Sequence, residues 1–81
     1  MSSNDSQLLP KGAVILDVRS PLEYREHHYP GAVNLPVGHI PLSAASVIAS
    51  KTTPVAVYCE TGGRSSTAAM ILQALGYSNI T

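Results

Sequence analysis

Cys59 is the single cysteine of the chain, and Glu60-Thr61-Gly62-Gly63-Arg64-Ser65-Ser66 follows it. A thiol, two glycines and a guanidinium this close together suit nucleophilic chemistry at sulfur. Glycines let backbone N–H groups turn inward around one point with no Cβ in the way, and such a cradle favours an anion. A thiolate at its centre gains from those N–H groups, from the positive end of a following helix and from Arg64, all of which lower a cysteine pKa. A lone cysteine at a strand end also serves as a small buried hydrophobe. Packing alone, however, requires neither a glycine pair nor a guanidinium five residues on. The pattern points to Cys59 as a nucleophile, mostly thiolate at neutral pH. Other ionisable residues carry less. His27, His28 and His39 are too few and too irregularly spaced for a metal site, and Glu26-His27-His28 reads as a solvated helix end. The Glu60 carboxylate either tunes substrate choice by repelling anions or faces solvent.

Such a thiol needs elements that hold it. Residues 55–59, Val-Ala-Val-Tyr-Cys, are β-branched and aromatic enough for a buried strand. Residues 65–75 place Ala68, Ile71, Leu72 and Leu75 at helical spacing, with Gly76 as a C-terminal cap. Cys59 then stands at the carboxyl end of a strand and just before a helix, where open α/β sheets bind ligands. Upstream, residues 13–18 read as a strand buried on both faces. Ser20-Pro21-Leu22-Glu23 reads as a helix start with a capping box, and Pro30-Gly31 closes that helix. Residues 32–35 form a second strand, residues 42–50 a helix after Pro41, and Ile80 opens a last strand. This order predicts an α/β domain with an open, mainly parallel sheet flanked by helices.

Composition narrows the function classes. The chain has 81 residues, 44% hydrophobic and 12% charged, with five basic residues against five acidic ones. That is roughly half the charge of a typical domain, and a neutral surface offers no field for a polyanion, which argues against nucleic acid. No aliphatic run approaches the ~20 residues of a membrane span. A single cysteine excludes an internal disulfide framework, and residues 1–11 lack the charged start and apolar middle of a secretory signal, so a cytoplasmic location is expected. Residues 1–11 read as a flexible lead-in and residues 12–81 as one domain without internal repeats.

Three stretches together resemble the single-domain rhodaneses, a family of sulfurtransferases. Leu16-Asp17-Val18-Arg19-Ser20-Pro21-Leu22-Glu23-Tyr24 is similar to the family's Asp-x-Arg at a strand end followed by a helix with Glu-Tyr or Glu-Phe. His28-Tyr29-Pro30-Gly31-Ala32-Val33-Asn34-Leu35-Pro36 is similar to its His-Ile-Pro-Gly-Ala-x-Asn-Ile-Pro. Cys59-x-x-Gly62-x-Arg64-Ser65 resembles its active loop. His27 replaces the usual glycine and Tyr29 the usual isoleucine. Family members commonly continue past the segment matched by Leu75-Gly76-Tyr77, so this chain is expected to be a minimal or truncated domain, or to cover its sheet edge with another copy, and to be a monomer or a weak homodimer.

The resemblance implies a rhodanese-like fold and a thiosulfate sulfurtransferase. Cys59 would take sulfur from thiosulfate or a similar donor as a persulfide and pass it to a thiol or cyanide. No cofactor or metal is implied. The loop residues Glu60, Thr61, Gly62, Gly63, Arg64 and Ser65 would bind substrate, with Arg64 on the donor's anionic group. Asp17 and Arg19 would support the loop and first helix structurally, with Arg19 paired to Glu23. Two alternatives share the fold: a non-catalytic interaction module, and a phosphatase or arsenate reductase. Members of the latter class carry one residue more between cysteine and arginine than the four found here.

Overall fold

Val14–Asp17 forms the central strand, β1, because its Val-Ile-Leu run is apolar on both faces and is sandwiched between two parallel neighbours. The computed structural model describes residues 9–60 and 62–81, so residues 1–8 of the expected lead-in lie outside the described residues. From β1 the chain enters helix α1, Pro21–Glu26, then strand β2, Val33–Asn34, then a single 3-10 turn over Val37–His39. Helix α2, Ile40–Val47, strand β3, Val55–Tyr58, and helix α3, Gly63–Ala74, follow. The sheet order is β2-β1-β3, all parallel, and an isolated parallel bridge from Val55 to Ile80 adds a further rung outside β3. In this register Asp17 is opposite both Asn34 and Tyr58. The three strand ends therefore form one row, and Cys59 is the next residue along it.

Local sequence chemistry accounts for most element boundaries. The Glu23 N–H donates to Ser20 Oγ (3.2 Å) and the Ser20 N–H donates to Glu23 Oε1 (3.0 Å), completing the expected capping box of α1. At the far end of α3 the Gly76 N–H donates to the Gln73 carbonyl and the Tyr77 N–H to the Leu72 carbonyl, with Gly76 at φ +101°. This is the Schellman arrangement, and the positive φ explains the glycine. Helix α2 differs from expectation at both ends. Helix α2 starts at Ile40 rather than after Pro41, because proline is tolerated in a first helical turn where no partner awaits its missing N–H. It stops at Val47, because Ile48 turns extended (φ −110°, ψ 116°) and is buried in the core.

One apolar core joins sheet and helices: Leu16, Val18, Leu35, Ile40, Ala44, Ile48, Val55, Ala68, Leu72 and Tyr77. From the predicted stripe of α3, Ala68 and Leu72 are fully buried, but Leu75 is 37% exposed. Tyr77 takes that place, because the Schellman turn swings the chain back onto the helix end. Among the described residues no helix is long and apolar enough to cross a membrane.

Candidate active site

The Cys59 thiol is held from the side of α3. The Gly62 N–H donates to Cys59 Sγ at 3.0 Å and the Ser65 N–H donates to it at 3.2 Å. Both donors belong to the helix entry, where Gly62 is the cap residue at φ +88° and its carbonyl accepts from the Ser66 N–H and the Ser65 hydroxyl. Each N–H aimed at sulfur favours its anionic form. Thr61, expected to take part, lies outside the described residues. Gly63 differs from its neighbour in φ, which is not positive, whereas a Cβ placed on either glycine meets no atom within 4 Å. The cradle thus requires one glycine, not two. Gly62→Ala is expected to lower stability by about 1–2 kcal/mol, the cost of a left-handed alanine, and to slow alkylation of Cys59 as its N–H donors shift. Gly63→Ala should be neutral or stabilising by up to about 1 kcal/mol. Urea unfolding of the two variants side by side checks the pair, and equal losses would refute the assignment.

Arg64 is hydrogen-bonded to Glu23 while staying close enough for the charge of Cys59 to act on it. Its Nη1 donates to Glu23 Oε1 (2.7 Å) and its Nη2 to Glu23 Oε2 (3.0 Å), a forked pair joining the first turn of α3 to α1. Glu23 was the expected partner of Arg19, and that ion pair is not formed. The chain bends after β1 with the Arg19 N–H donating to Asp17 Oδ1, an Asx turn that brings the Arg19 side chain onto Asp17 instead, while the helical position of Glu23 carries it to Arg64. The two hydrogen bonds from Arg64, then those from the Ser20 backbone and side chain, pull the Glu23 carboxyl down to about 2. The same pairing raises the Arg64 pKa. The bridge is therefore intact above the ordinary carboxylate value and is lost only as pH falls through about 2.

Asp17 and Arg19 are buried at the end of β1, exposed by 0% and 3%. Arg19 Nε donates to Asp17 Oδ1 (2.9 Å) and Nη2 to Oδ2 (2.7 Å), and the Arg19 backbone N–H donates to Oδ1 (3.0 Å). The Tyr58 hydroxyl adds a fourth donor to Asp17 Oδ2 (2.9 Å). Burial by itself would push the Asp17 carboxyl up, but these donors and the guanidinium charge bring it below its ordinary value. Burial, with the charge of Asp17, moves the Tyr58 phenol up although the Tyr29 N–H opposes it. Arg19 Nη2 also donates to the His27 carbonyl (2.6 Å), and Nη1 reaches Glu60 Oε1 at 3.4 Å. Asn34 Nδ2 donates to the carbonyls of Asp17 and Arg19 (3.0 Å each), bracing the chain as it leaves β1.

A cavity of about 350 Å³ opens beside Cys59. Its walls are Arg19, Tyr58 and Glu60, with the turn His27, His28, Tyr29 and Pro30 opposite. That turn is fixed by the Tyr29 N–H donating to Tyr58 Oη (3.1 Å) and by His28 stacking on Tyr24 at 3.6 Å. Sequence reasoning put the two histidines at a solvated helix end and assigned Tyr29 and Tyr58 no role at the site. The signal available was their place in or beside the three motif stretches. Among the described residues no group of His, Cys, Asp and Glu side chains is arranged to hold a metal ion.

Comparison with known proteins matches residues 4–81 to the family model described as the rhodanese-like domain. The chain is 35% identical over 65 residues to the thiosulfate sulfurtransferase PspE of Escherichia coli, covering 80% of this chain and 62% of that protein. It is 40% identical over 81 residues to a putative mitochondrial thiosulfate sulfurtransferase of Schizosaccharomyces pombe, covering 86% of this chain and 57% of that one. The chain thus spans about three fifths of the length of these relatives. Among solved structures it is similar to a rhodanese with anions from Escherichia coli, with a TM-score of 0.80 and 34% identity, covering 84% of this chain and 80% of that one.

Proposed function

Because the chain belongs to the family of rhodanese-like domains, we propose that it is a sulfurtransferase that carries sulfur as a persulfide on Cys59. The observation that carries this reading is the pair of N–H donors on Cys59 Sγ at the mouth of a cavity. The same donors that favour a thiolate suit the terminal sulfur anion of a persulfide. With thiosulfate as donor, the Cys59 thiolate attacks the outer sulfur, the sulfur–sulfur bond of thiosulfate breaks, and sulfite leaves with the bonding electron pair. A nucleophilic acceptor then attacks the outer sulfur of the persulfide, and Cys59 departs as the thiolate it was at the start. Cyanide leaves as thiocyanate, and a thiolate leaves as an organic persulfide. No electron carrier is needed, since sulfane sulfur moves between nucleophiles in both half-reactions.

Thiosulfate as donor is supported by what the relatives are called rather than by an open cation, since Arg64 is engaged by Glu23. In this reading Arg64 contributes positive charge near the loop and swings partly from Glu23 to meet the donor's sulfonate. Arg64→Ala should therefore raise KM for thiosulfate several-fold more than it lowers kcat, because the nucleophile remains. Unchanged thiosulfate kinetics would leave Arg64 only its tie to α1. We propose a cytoplasmic location, with which a chain of one cysteine, demanding no oxidising compartment, is compatible. The experiment that tests the reading is intact-mass measurement after incubation with thiosulfate. It should show a gain of one sulfur that cyanide removes. No gain would overturn it.

A further inference from the structure

The cavity says more about the acceptor than about the donor, given the sulfurtransferase reading on which this rests. Its volume of about 350 Å³ is far more than cyanide fills and falls in the range of sites for organic molecules, which begin near ~300 Å³. The cation on its wall is already satisfied. Arg19 makes side-chain hydrogen bonds to Asp17 and the His27 carbonyl and reaches Glu60 at 3.4 Å, while Arg64 is held by both oxygens of Glu23. What the cavity offers an incoming molecule is the Glu60 carboxylate, 62% exposed and engaged with Arg19 through Oε1 alone at 3.4 Å, and an aromatic corner. The Tyr29 and Tyr58 rings meet edge to face there, with centroids 5.0 Å apart, and since the Arg19 guanidinium already lies 5.6 Å from the Tyr58 centroid, Tyr29 is the ring left to an incoming cation. A carboxylate beside tyrosine rings attracts an ammonium group, through charge and through the ring quadrupoles. It disfavours a sulfonate or carboxylate placed against that corner, away from the side on which Arg64 meets the donor.

We propose that the acceptor is a small organic aminothiol, and that Glu60 selects it by pairing with its ammonium group against the Tyr29–Tyr58 corner. The acceptor thiolate attacks the outer sulfur of the Cys59 persulfide, forming a new sulfur–sulfur bond as the bond to Cys59 Sγ breaks. The electron pair of that bond stays on Cys59 as thiolate, and the aminothiol leaves as its persulfide. Glu60 touches neither reacting sulfur and acts on specificity only.

The test loads wild type and Glu60→Gln with sulfur from thiosulfate or inorganic polysulfide, removes the donor, and mixes each with cysteamine or with 2-mercaptoethanesulfonate. Sulfur loss from Cys59 is followed by intact mass. Intrinsic thiol reactivity cancels when the cysteamine-to-sulfonate rate ratio of wild type is divided by that of the variant. The quotient should be roughly tenfold at low salt, the scale of one charge acting across a partly solvated site, and should shrink as salt rises. The neutral 2-mercaptoethanol supplies the uncharged reference rate for each protein. Normal loading with a quotient within twofold of one overturns the aminothiol assignment alone. Failure of wild-type Cys59 to take sulfur from either donor overturns the sulfurtransferase reading and this inference with it.

Discussion

Cys59→Ser is expected to abolish sulfur transfer and to leave the fold intact. Serine is nearly isosteric with cysteine, and its Oγ accepts from the Gly62 and Ser65 N–H groups much as Sγ does. The loop geometry therefore survives, and stability should change by less than about 1 kcal/mol, as for a conservative substitution without cavity or strain. Chemistry does not survive. A serine hydroxyl is barely ionised at neutral pH even with two donors, and its oxygen cannot store a transferable sulfane sulfur. Turnover of thiosulfate with cyanide should fall to the uncatalysed rate while the urea midpoint stays in place. Measurable catalysis by that variant would remove Cys59 from the mechanism.

The second large effect concerns the carboxylate below the site. Asp17→Asn leaves the Arg19 guanidinium buried without its charge partner, and removing one member of a buried pair costs about 3–5 kcal/mol. Small domains have total stabilities of only about 5–15 kcal/mol, so the variant should be largely unfolded at modest urea concentrations. Changing Asp17 and Arg19 together to neutral residues should recover much of the loss, because no uncompensated charge stays buried. The acid behaviour of the wild type follows from the same pair. Since folding lowers the Asp17 pKa, its stabilising effect is complete above the ordinary value of 3.8 and disappears as pH falls through the lower folded value. Circular dichroism during urea and acid titrations reads both effects. A loss under about 1 kcal/mol for Asp17→Asn would show that Glu60 and the His27 carbonyl suffice to hold Arg19.

Contiguous residues made several features legible. The capping box of α1 involves Ser20 and Glu23, three positions apart, and the Schellman turn is complete within residues 72–77. The thiol, its donor at Gly62 and its donor at Ser65 also lie within seven residues. Such contacts close over short loops, so few folds could prevent them. Alternating elements were enough for an α/β order, and the parallel sheet β2-β1-β3 agrees with it.

Partner choice among distant charges was decided elsewhere. Arg64 and Glu23 are 41 positions apart, as are Tyr58 and Asp17. Each arginine had more than one carboxylate to choose from, and local pattern ranks none of them. The sheet register settled it by placing Asp17 opposite Tyr58 and by bringing the first turn of α3 against α1. The cavity is of the same kind, since its walls come from the ends of β1 and β3 and from the turn at residues 27–30. What the sequence determined alone was the thiol, its loop and the elements that carry it, because those depend on neighbours along the chain. Which cation lines the cavity, and what shape that cavity has, depend on surfaces that exist only once the strands have paired.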